Sequence, residues 1–389
     1  MLSPACLPTA SLAWPGKGSP MNPRKTIVYI HLHLATLYNS GLALRLLQAF
    51  GSPRGALEAG TTELLEIEGM SVKVRRRLRC NRTREQAKAE WSRCVSERIR
   101  VLIHSLPGYP ARLLNLEEMP LLLFSRGKIA AADSRALAVV GSRRPTPYSL
   151  RQTRLFAGDL AGRGATLVSG LARGVDACAH RAALEAGGRT IAVLGSGLGR
   201  IYPPENHTLA DRVLAENSGA LLSEFPFSMR PRPYHFPQRN RLISGLSNAL
   251  LVIQAGEKSG SLSTARWALD QGKSIFVLPS RVDEEHNRGG LHLLRDGAGV
   301  ATSPMDLSLE LGLTGIPAHE EKKTPGERRA LPGKLGGPLE ALFQEEDGWH
   351  PDALSARLGV PCNSLLAMLG RLELDGYLMK TSSGFYRLR

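Results

Sequence analysis

A short apolar segment that ends in a glycine and two arginines is the part of this sequence best suited to binding an anion. Residues 136–140 are all apolar, and Gly141, Ser142, Arg143 and Arg144 follow directly. A segment that is apolar on both faces is typical of a buried parallel strand. The glycine allows a sharp turn, and the helix expected next presents its positive end to the same place. These residues predict an anion site, with a plain strand–helix turn and solvated arginines as the alternative.

Four more segments of similar composition lie at the ends of predicted strands or at the start of a predicted helix. They are residues 169–176, 195–200, 234–241 and 259–261. Because ligands of open parallel sheets bind outside the carboxyl ends of the strands, we expect all five segments to line one groove. Arginines bind phosphates, asparagine can bond a base edge, and an aromatic ring can stack on a base. The predicted nucleic-acid-binding residues are Gly141, Ser142, Arg143, Gly170, Arg173, Gly174, Gly195, Ser196, Gly197, Phe236, Arg239, Asn240, Arg241, Ser259, Gly260 and Ser261.

Arg143, Arg239 and Arg241 are expected to form the main phosphate clamp. Arg239 and Arg241 are separated by one residue. In an extended loop they would point to the same side, with Asn240 opposite. Their side chains would then lie about 6.5–7 Å apart, a spacing comparable to that of neighbouring phosphates. The alternative is that one of the two braces Glu224 in a structural ion pair.

Incomplete or absent sequence motifs argue against three classes of enzyme. A dinucleotide-binding turn needs G-x-G-x-x-G, whereas residues 195–199 have the wrong third spacing, and no P-loop motif occurs. Hydrolysis of a nucleotide glycosidic bond needs paired carboxylates, for which Asp176 and Glu224 are the candidates. His180 is either a base or, as we favour, a structural hydrogen-bonding residue. The sequence therefore predicts a binding protein with no catalytic residue, metal or cofactor, and a nucleotide hydrolase is the alternative.

The composition favours a polyanionic partner in a reducing compartment. The chain has 389 residues and a net charge of +15, from 50 basic and 35 acidic residues. This balance favours nucleic acid ahead of membrane, and aromatic residues at 5% allow only a small stacking platform. Five scattered cysteines without a C-x-x-C motif favour neither disulfides nor zinc. With no transmembrane-length apolar run and no signal-peptide pattern, we predict a cytoplasmic protein whose residues 1–25 are disordered or a mis-annotated start.

The elements that must position these residues follow an α/β pattern. Strands are expected at residues 136–141, 165–169, 190–195, 220–223, 248–254 and 274–278, with helices between most of them. Alternating strands and helices predict a doubly wound parallel sheet. We expect a helical domain at residues 26–100, the α/β domain at 101–310, a linker at 311–334 and a winged-helix domain at 335–389.

The two flanking regions differ in charge. Residues 73–100 hold eleven basic and three acidic residues. They form either a solvated helix face or an auxiliary nucleic-acid contact. The segment from Leu335 onward has five basic and seven acidic residues, which favours protein contact or a structural role over reading duplex DNA.

The motifs of the α/β region occur in a specific series. In order they are Gly141-Ser142-Arg143, residues 169–177 with Ala179-His180, residues 192–197, Tyr202-Pro203 with Asn206, residues 223–226, Phe236-Pro237 with residues 239–241, and residues 259–262 with Thr264-Ala265. Spanning roughly Tyr109 to Ala298, this series resembles the DprA/Smf family, the DNA-processing proteins of natural transformation.

The resemblance implies a fold and a function. It implies an extended Rossmann-like domain that binds single-stranded DNA, flanked by a sterile-alpha-motif-like domain and a winged helix. It also implies a homodimer that loads RecA recombinase onto incoming strands in place of single-strand-binding protein. Cytokinin-activating phosphoribohydrolases have a related fold, but residues 254–264 lack their Pro-Gly-Gly-x-Gly-Thr-x-x-Glu signature. A phosphoribohydrolase-like nucleotide-processing enzyme is therefore the second choice.

Two positions depart from the family pattern. Pro279 is followed by Ser280 where the family usually has glycine, and Leu291 replaces the asparagine of Gly-x-Asn-x-Leu-Ile. A lost amide at the rim is expected to reshape one edge of the groove without disturbing the loops that carry arginine.

Overall fold

The computed structural model describes residues 22–215, 218–313, 336–345, 349–375, 377–380 and 385–388. The chain divides into two compact units, Met1–Ala318 and His319–Arg389. Most of the predicted disordered start and most of the predicted linker lie outside the described residues. The limits proposed for the domains inside the first unit remain predictions.

The first unit begins with a bundle of short helices. They are α1 (Pro23–Ala35), α2 (Ser40–Phe50), α3 (Pro53–Glu58), α4 (Thr61–Leu65), α5 (Val72–Leu78) and α6 (Asn81–Ser96). Gly51 ends α2 with φ of 69°, and the Ser52 hydroxyl accepts the Gly55 N–H to cap α3. These two features end one helix and start the next, so the chain breaks between α2 and α3 at residues 51–52. Ile30, Leu42 and Leu46 are fully or almost fully buried at the centre of the bundle.

A mostly parallel sheet follows the bundle. Its described strands are β1 (Arg100–Ile103), β2 (Leu122–Gly127), β3 (Ala136–Val140), β4 (Thr166–Ser169), β5 (Arg189–Leu194), β6 (Gly219–Ser223), β7 (Ala249–Val252), β8 (Ser274–Val277) and β9 (Gly299–Val300). The spatial order is β1-β2-β6-β5-β4-β3-β7-β8-β9. β2 pairs antiparallel with both β1 and β6, and all other neighbours pair parallel. The doubly wound parallel sheet is confirmed, with all six expected strands present.

Helices cover both faces of the sheet. They are α7 (Pro147–Gly162), α8 (Val175–Glu185), α9 (His207–Ala215), α10 (His235–Gly245), α11 (Gly260–Asp270), α12 (Arg288–Arg295) and α13 (Pro304–Glu310). On β3, Leu137 and Val139 pack with α7 and α8, while Ala138 and Val140 pack on the opposite face with α10 and α11. The chain runs from β3 outward to β4 on one side, and β7 pairs with β3 on the other. The strand order therefore reverses between β3 and β7, which is where ligands of such sheets bind.

The second unit is a winged helix, as predicted. Its described elements are α14 (Gly336–Glu345), α15 (Pro351–Leu358), α16 (Cys362–Leu374), β10 (Leu378–Lys380) and β11 (Tyr386–Leu388). The two strands pair antiparallel, and Leu354, Leu365 and Leu369 are fully buried in its core. The sequence predicts a turn between these strands at Ser383-Gly384, and these two residues lie outside the described residues.

The described helices include none that is both long enough and apolar enough to cross a membrane.

Candidate nucleic-acid interface

A groove of about 1060 Å³ lies at the carboxyl ends of β3 and β7. Its walls are the segment after β3, the first turns of α8, α10 and α11, and the loop before α10. The backbone N–H groups of a helix's first turn are free to bind a ligand, and the helix dipole favours negative charge there. Several helix starts around one concave surface therefore make it a suitable place for phosphates.

The segment after β3 supplies two exposed cations. Arg143 and Arg144 both line the groove, and the Ser142 hydroxyl accepts the Arg144 N–H at 3.0 Å. The Ser142 carbonyl also accepts the N–H of Val175 at 3.2 Å, which ties this turn to the start of α8. A Cβ on Gly174 would lie 2.4 Å from the same carbonyl oxygen, and its φ is +74°. Glycine is needed there because no larger residue allows the two turns to approach so closely.

Phe236, in the first turn of α10, presents a half-buried ring to the groove. The guanidinium carbon of Arg143 lies 5.6 Å from the ring centroid, and that of Arg239 lies 6.0 Å from it. Both distances are in the range of cation–π contacts. A Cβ on Gly195 would lie 2.8 Å from the ring, so Gly195 makes room for Phe236 without lining the groove itself. The ring is thus held in place beside two positive charges.

The start of α11 forms the opposite wall. Ser259 caps this helix, and its hydroxyl accepts the Ser261 N–H at 3.2 Å. Gly260 and Ser261 also line the groove, and the Asn240 amide reaches across from α10 to the Gly260 carbonyl at 3.3 Å. The predicted residues Ser259, Gly260, Ser261 and Asn240 therefore lie together.

Arg239 reaches the groove but is not an exposed clamp. Its side chain donates to the carbonyls of Gly170, at 2.8 Å, and Val193, and the residue is 4% exposed. Burial lowers the pKa of Arg239 to about 10, against the opposing effect of Asp176. The guanidinium is therefore still charged at neutral pH and contributes to the potential of the groove. A Cβ on Gly170 would lie 2.3 Å from this guanidinium, which explains the glycine.

The clamp role expected for Arg241 is wrong. Residues 235–245 are helical, so Arg239 and Arg241 point to different sides of α10 and not to the same side of a loop. The Arg241 side chain is 2% exposed and donates to Glu224 Oε1 at 2.8 Å. It also donates to the carbonyls of Glu118 and Gln238. Arg241 instead braces Glu224 in a structural ion pair, which is the alternative that the sequence analysis gave.

Three further predicted residues lie elsewhere. The exposed Arg173 does not line the groove and pairs with Glu205. Ser196 is 2% exposed and donates to the Arg200 carbonyl at 2.6 Å. A Cβ on Gly197 would lie 1.9 Å from the Pro226 carbonyl oxygen, so this glycine serves close packing. The loop after β5 therefore supports the groove from behind and does not form its surface.

The groove also contains side chains that are missing from the list of predicted nucleic-acid-binding residues, although Arg144 belongs to the predicted anion site. Arg144, Arg232, Lys258 and the exposed Tyr202 all line it. Arg232 occurs in Arg230-Pro-Arg-Pro233, and alternating arginine and proline was the one available signal, because such a segment stays extended and exposed. Together with Arg143 and Arg239, five basic side chains line the groove, compared with two carboxylates, those of Asp176 and Glu285. The groove is accordingly positive.

The two carboxylates considered for catalysis do not share this groove. Asp176 lines it, and burial raises the pKa of its carboxyl, opposed by Arg239 and by the N–H groups of Ala172 and Gly170. Glu224 is 1% exposed and engaged by Arg241 and by the Ser40 hydroxyl at 2.7 Å. No cluster of metal-ligating side chains occurs in the part of the chain that the structure describes.

Of the two positions that depart from the family pattern, Ser280 is linked to the groove wall through Asn287. The Asn287 amide donates to the Ser280 hydroxyl at 2.6 Å and accepts the Ala255 N–H at 2.9 Å. Ser280 thus helps to hold the segment that precedes Gly256 in the groove wall. Leu291 is half-buried in α12 and does not line the groove.

His180 is a structural residue of α8. It is fully buried, and its Nδ1 lies 2.6 Å from the Thr190 hydroxyl, which itself donates to the Leu167 carbonyl. Nδ1 therefore carries the proton. Burial, reinforced by the charges of Arg239 and Arg181, lowers the pKa of His180 to about 3. The structure therefore agrees with the interpretation of His180 as a structural hydrogen-bonding residue.

This histidine predicts a specific sensitivity to acid. Its folded pKa lies below the unfolded value, so stability is complete above about pH 6.5 and is lost as the pH falls toward 3. We expect the group to reduce the free energy of unfolding by up to about 1.4 kcal/mol per pH unit in that window. In His180→Asn, which keeps a polar partner for Thr190, denaturant unfolding should show a shallower pH dependence. Equal slopes for the two proteins would contradict the buried neutral imidazole.

Comparison with known proteins places these features in a family. Residues 100–312 match the family model described as DNA recombination-mediator protein A, and residues 322–382 match the DprA winged helix domain. Protein Smf of Escherichia coli is 42% identical over 296 residues, which are 74% of this chain and 78% of the relative. DNA processing protein DprA of Bacillus subtilis is 39% identical over 204 residues, 52% of this chain and 68% of the relative.

A solved structure shows a similar fold. The X-ray structure of DNA processing protein A from Streptococcus pneumoniae is 30% identical and matches with a TM-score of 0.57. The match covers 72% of this chain and 97% of that one.

Proposed function

Because the chain belongs to the DprA/Smf family of DNA-processing proteins, we propose that it binds single-stranded DNA in the groove and passes the strand to RecA recombinase. The observation that carries the DNA-binding part is the ring of Phe236 beside the guanidinium groups of Arg143 and Arg239, at the point where the strand order reverses. A base can stack on this ring only if one face of the base is free. The bases of a duplex are stacked on one another, so the ring favours single strands. The cations and helix starts around the ring suit the backbone phosphates.

We also propose that the protein binds DNA without catalysing a reaction on it. A phosphoribohydrolase-like reaction needs a carboxylate paired with Asp176. Glu224, the partner considered for it, is enclosed with Arg241 away from the groove walls, and Glu285, the other carboxylate that lines the groove, is exposed to solvent. We infer a cytoplasmic protein that protects the strand and acts as a mediator of recombination. Release of a free base from a nucleoside monophosphate, abolished in Asp176→Asn, would favour the enzyme instead.

The partners follow from the same proposal. The description of the matching family as a recombination mediator supports delivery of the strand to RecA, in competition with single-strand-binding protein during transformation. We also propose a homodimer. β9 is the last strand of the sheet, and its Val300 is 50% exposed, so a second copy would bury apolar surface there.

Titration of labelled oligonucleotides tests the binding function. We expect affinity for single strands to exceed that for blunt duplex at every salt concentration and to depend little on sequence. Affinity should fall steeply with salt, with a log–log slope of roughly 0.7 per phosphate neutralised. Equal affinity for the duplex under the same conditions would contradict the proposal.

A further inference from the structure

We propose that one face of α6 is a second contact for the same DNA strand, which leaves the groove across the loop before α10. This inference rests on the proposed function and extends the bound length of the strand. The face consists of Arg82, Gln86, Ala89 and Arg93, all exposed, and we call it the α6 stripe. Their spacing of four, three and four residues places them on one side of the helix.

The α6 stripe adjoins the loop that forms one wall of the groove. Arg93 Nη1 donates to the Ser228 hydroxyl at 2.8 Å, and its guanidinium carbon lies 5.5 Å from the centroid of the Phe227 ring. The Phe227 N–H donates to Glu90 Oε1 at 2.7 Å, so this loop is attached to α6 at two neighbouring points. The Arg93 end of the stripe therefore has a defined place beside the loop.

The distance from this attachment to the groove is short. Pro231 and Arg232 of the same loop line the groove, and Ser228 lies three residues before Pro231. An extended chain spans at most about 3.6 Å per residue, so about 11 Å separates the two points at most. A strand with a rise of at least 3.4 Å per nucleotide crosses that gap with about three nucleotides. Arg230, exposed between them, supplies a cation on the way.

The groove and the helical bundle are also close at Tyr38. Burial raises the pKa of Tyr38, and the charges of Arg77 in the bundle and Arg232 in the loop oppose this rise. Gln238 of α10 donates to the Tyr38 carbonyl at 3.4 Å. The helical bundle and α10, which forms part of the groove wall, are therefore in direct contact at this point.

The composition of the stripe suits a phosphate backbone. It contains two arginines and no acidic residue, and from Arg82 to Arg93 it extends about 17 Å at 1.5 Å per residue. Glu90, on the neighbouring row, is half-buried and bonded to Phe227. Another exposed side of α6 carries Arg84 and Lys88, turned by about 120–180° from Arg82 and Arg93. These two cations therefore provide a control on the same helix.

A ladder of oligothymidylates tests the proposal. With the full chain, we expect affinity and salt slope to rise with length in two stages, the groove first and the α6 stripe second. In the double variant Arg82→Ala/Arg93→Ala, the second stage should disappear, and the slope for long strands should fall by about 1.4, or 0.7 for each contact. Short strands that fill only the groove should bind as before. Arg84→Ala/Lys88→Ala should retain both stages.

A second variant tests the α6 stripe without altering the contacts that Arg93 makes with Phe227 and Ser228. Arg82→Glu/Gln86→Glu leaves Arg93, Phe227 and Ser228 in place, and should also eliminate the second stage. Equal losses in the stripe and control variants, or no loss in either, would overturn the proposal. It is also wrong if the stripe variants weaken only blunt-duplex binding, or weaken short strands as much as long ones. If no single strand of any length binds to the wild-type chain, the proposed function itself fails.

Discussion

Replacing Arg241 with alanine is expected to lower the free energy of unfolding by about 3–5 kcal/mol without changing the salt slope of DNA binding. The substitution leaves the Glu224 carboxylate buried without its ion-pair partner, because Glu224 is 1% exposed. The remaining side-chain contact is the Ser40 hydroxyl at 2.7 Å. Alanine supplies neither a charge nor a hydrogen-bond donor to the buried carboxylate, so the desolvated charge destabilises the fold.

The position of this ion pair makes the effect larger than that of a local contact. Glu224 follows β6, Arg241 belongs to α10, and Ser40 begins α2 of the helical bundle. His33 of α1 also donates from Nε2 to the Glu224 carbonyl at 2.8 Å. One carboxylate and its own backbone therefore connect the bundle to the sheet. We expect Arg241→Ala to loosen the bundle as well as the start of α10.

A double-mutant cycle gives the control. Replacing both partners, as in Glu224→Gln/Arg241→Met, removes the charge along with its partner and should recover most of the lost stability. Denaturant unfolding measures stability, and oligonucleotide titration at several salt concentrations measures the slope. A slope lower by about 0.7 at unchanged stability would make Arg241 a phosphate contact after all.

Replacing Phe236 with alanine should weaken single-strand binding by about 1–3 kcal/mol, or roughly tenfold to a hundredfold in Kd. The loss comes from base stacking on a ring that is held by Gly195 behind it and flanked by Arg143. Stacking neutralises no phosphate, so the salt slope should remain as in the wild type. Arg143→Ala should show the opposite signature, a slope lower by roughly 0.7.

Three further variants separate stacking from simple packing. Phe236→Leu keeps apolar volume but no ring, and should bind nearly as weakly as the alanine variant. Phe236→Tyr keeps the ring and should bind almost normally. Tyr148→Ala removes an exposed ring that does not line the groove, and should leave binding unchanged. Wild-type affinity in Phe236→Leu would show that no base stacks at this position.

The effects of Arg143 and Phe236 should not add. The two side chains are in cation–π contact at 5.6 Å, so removing either changes the surroundings of the other. Residues in direct contact commonly couple by about 0.5–3 kcal/mol. The double variant should therefore lose less than the sum of the single losses.

The sequence alone determined the sheet and the location of the groove. The segments that became β3, β4, β5, β6 and β7 are apolar on both faces, a pattern that only a strand covered on both sides can use. Parallel pairing then brings their carboxyl ends to one edge, so distant glycine- and serine-containing segments had to meet there. Gly141, Ser142, Arg143, Phe236, Asn240 and the start of α11 follow from this argument alone.

Tertiary structure decided which arginines line the groove. Residues 235–245 form a helix, in which successive residues turn by about 100°, so neighbours in one motif enter different surroundings. Arg239 is buried in the groove wall against Gly170, and Arg241 is enclosed with Glu224 away from the groove, whereas the exposed Arg232 lines the groove. An arginine that binds phosphate and one that neutralises a buried carboxylate have the same side chain. What separates them is a partner such as Ser40 or Glu224, which is distant in sequence and comes close only when the bundle packs on the sheet.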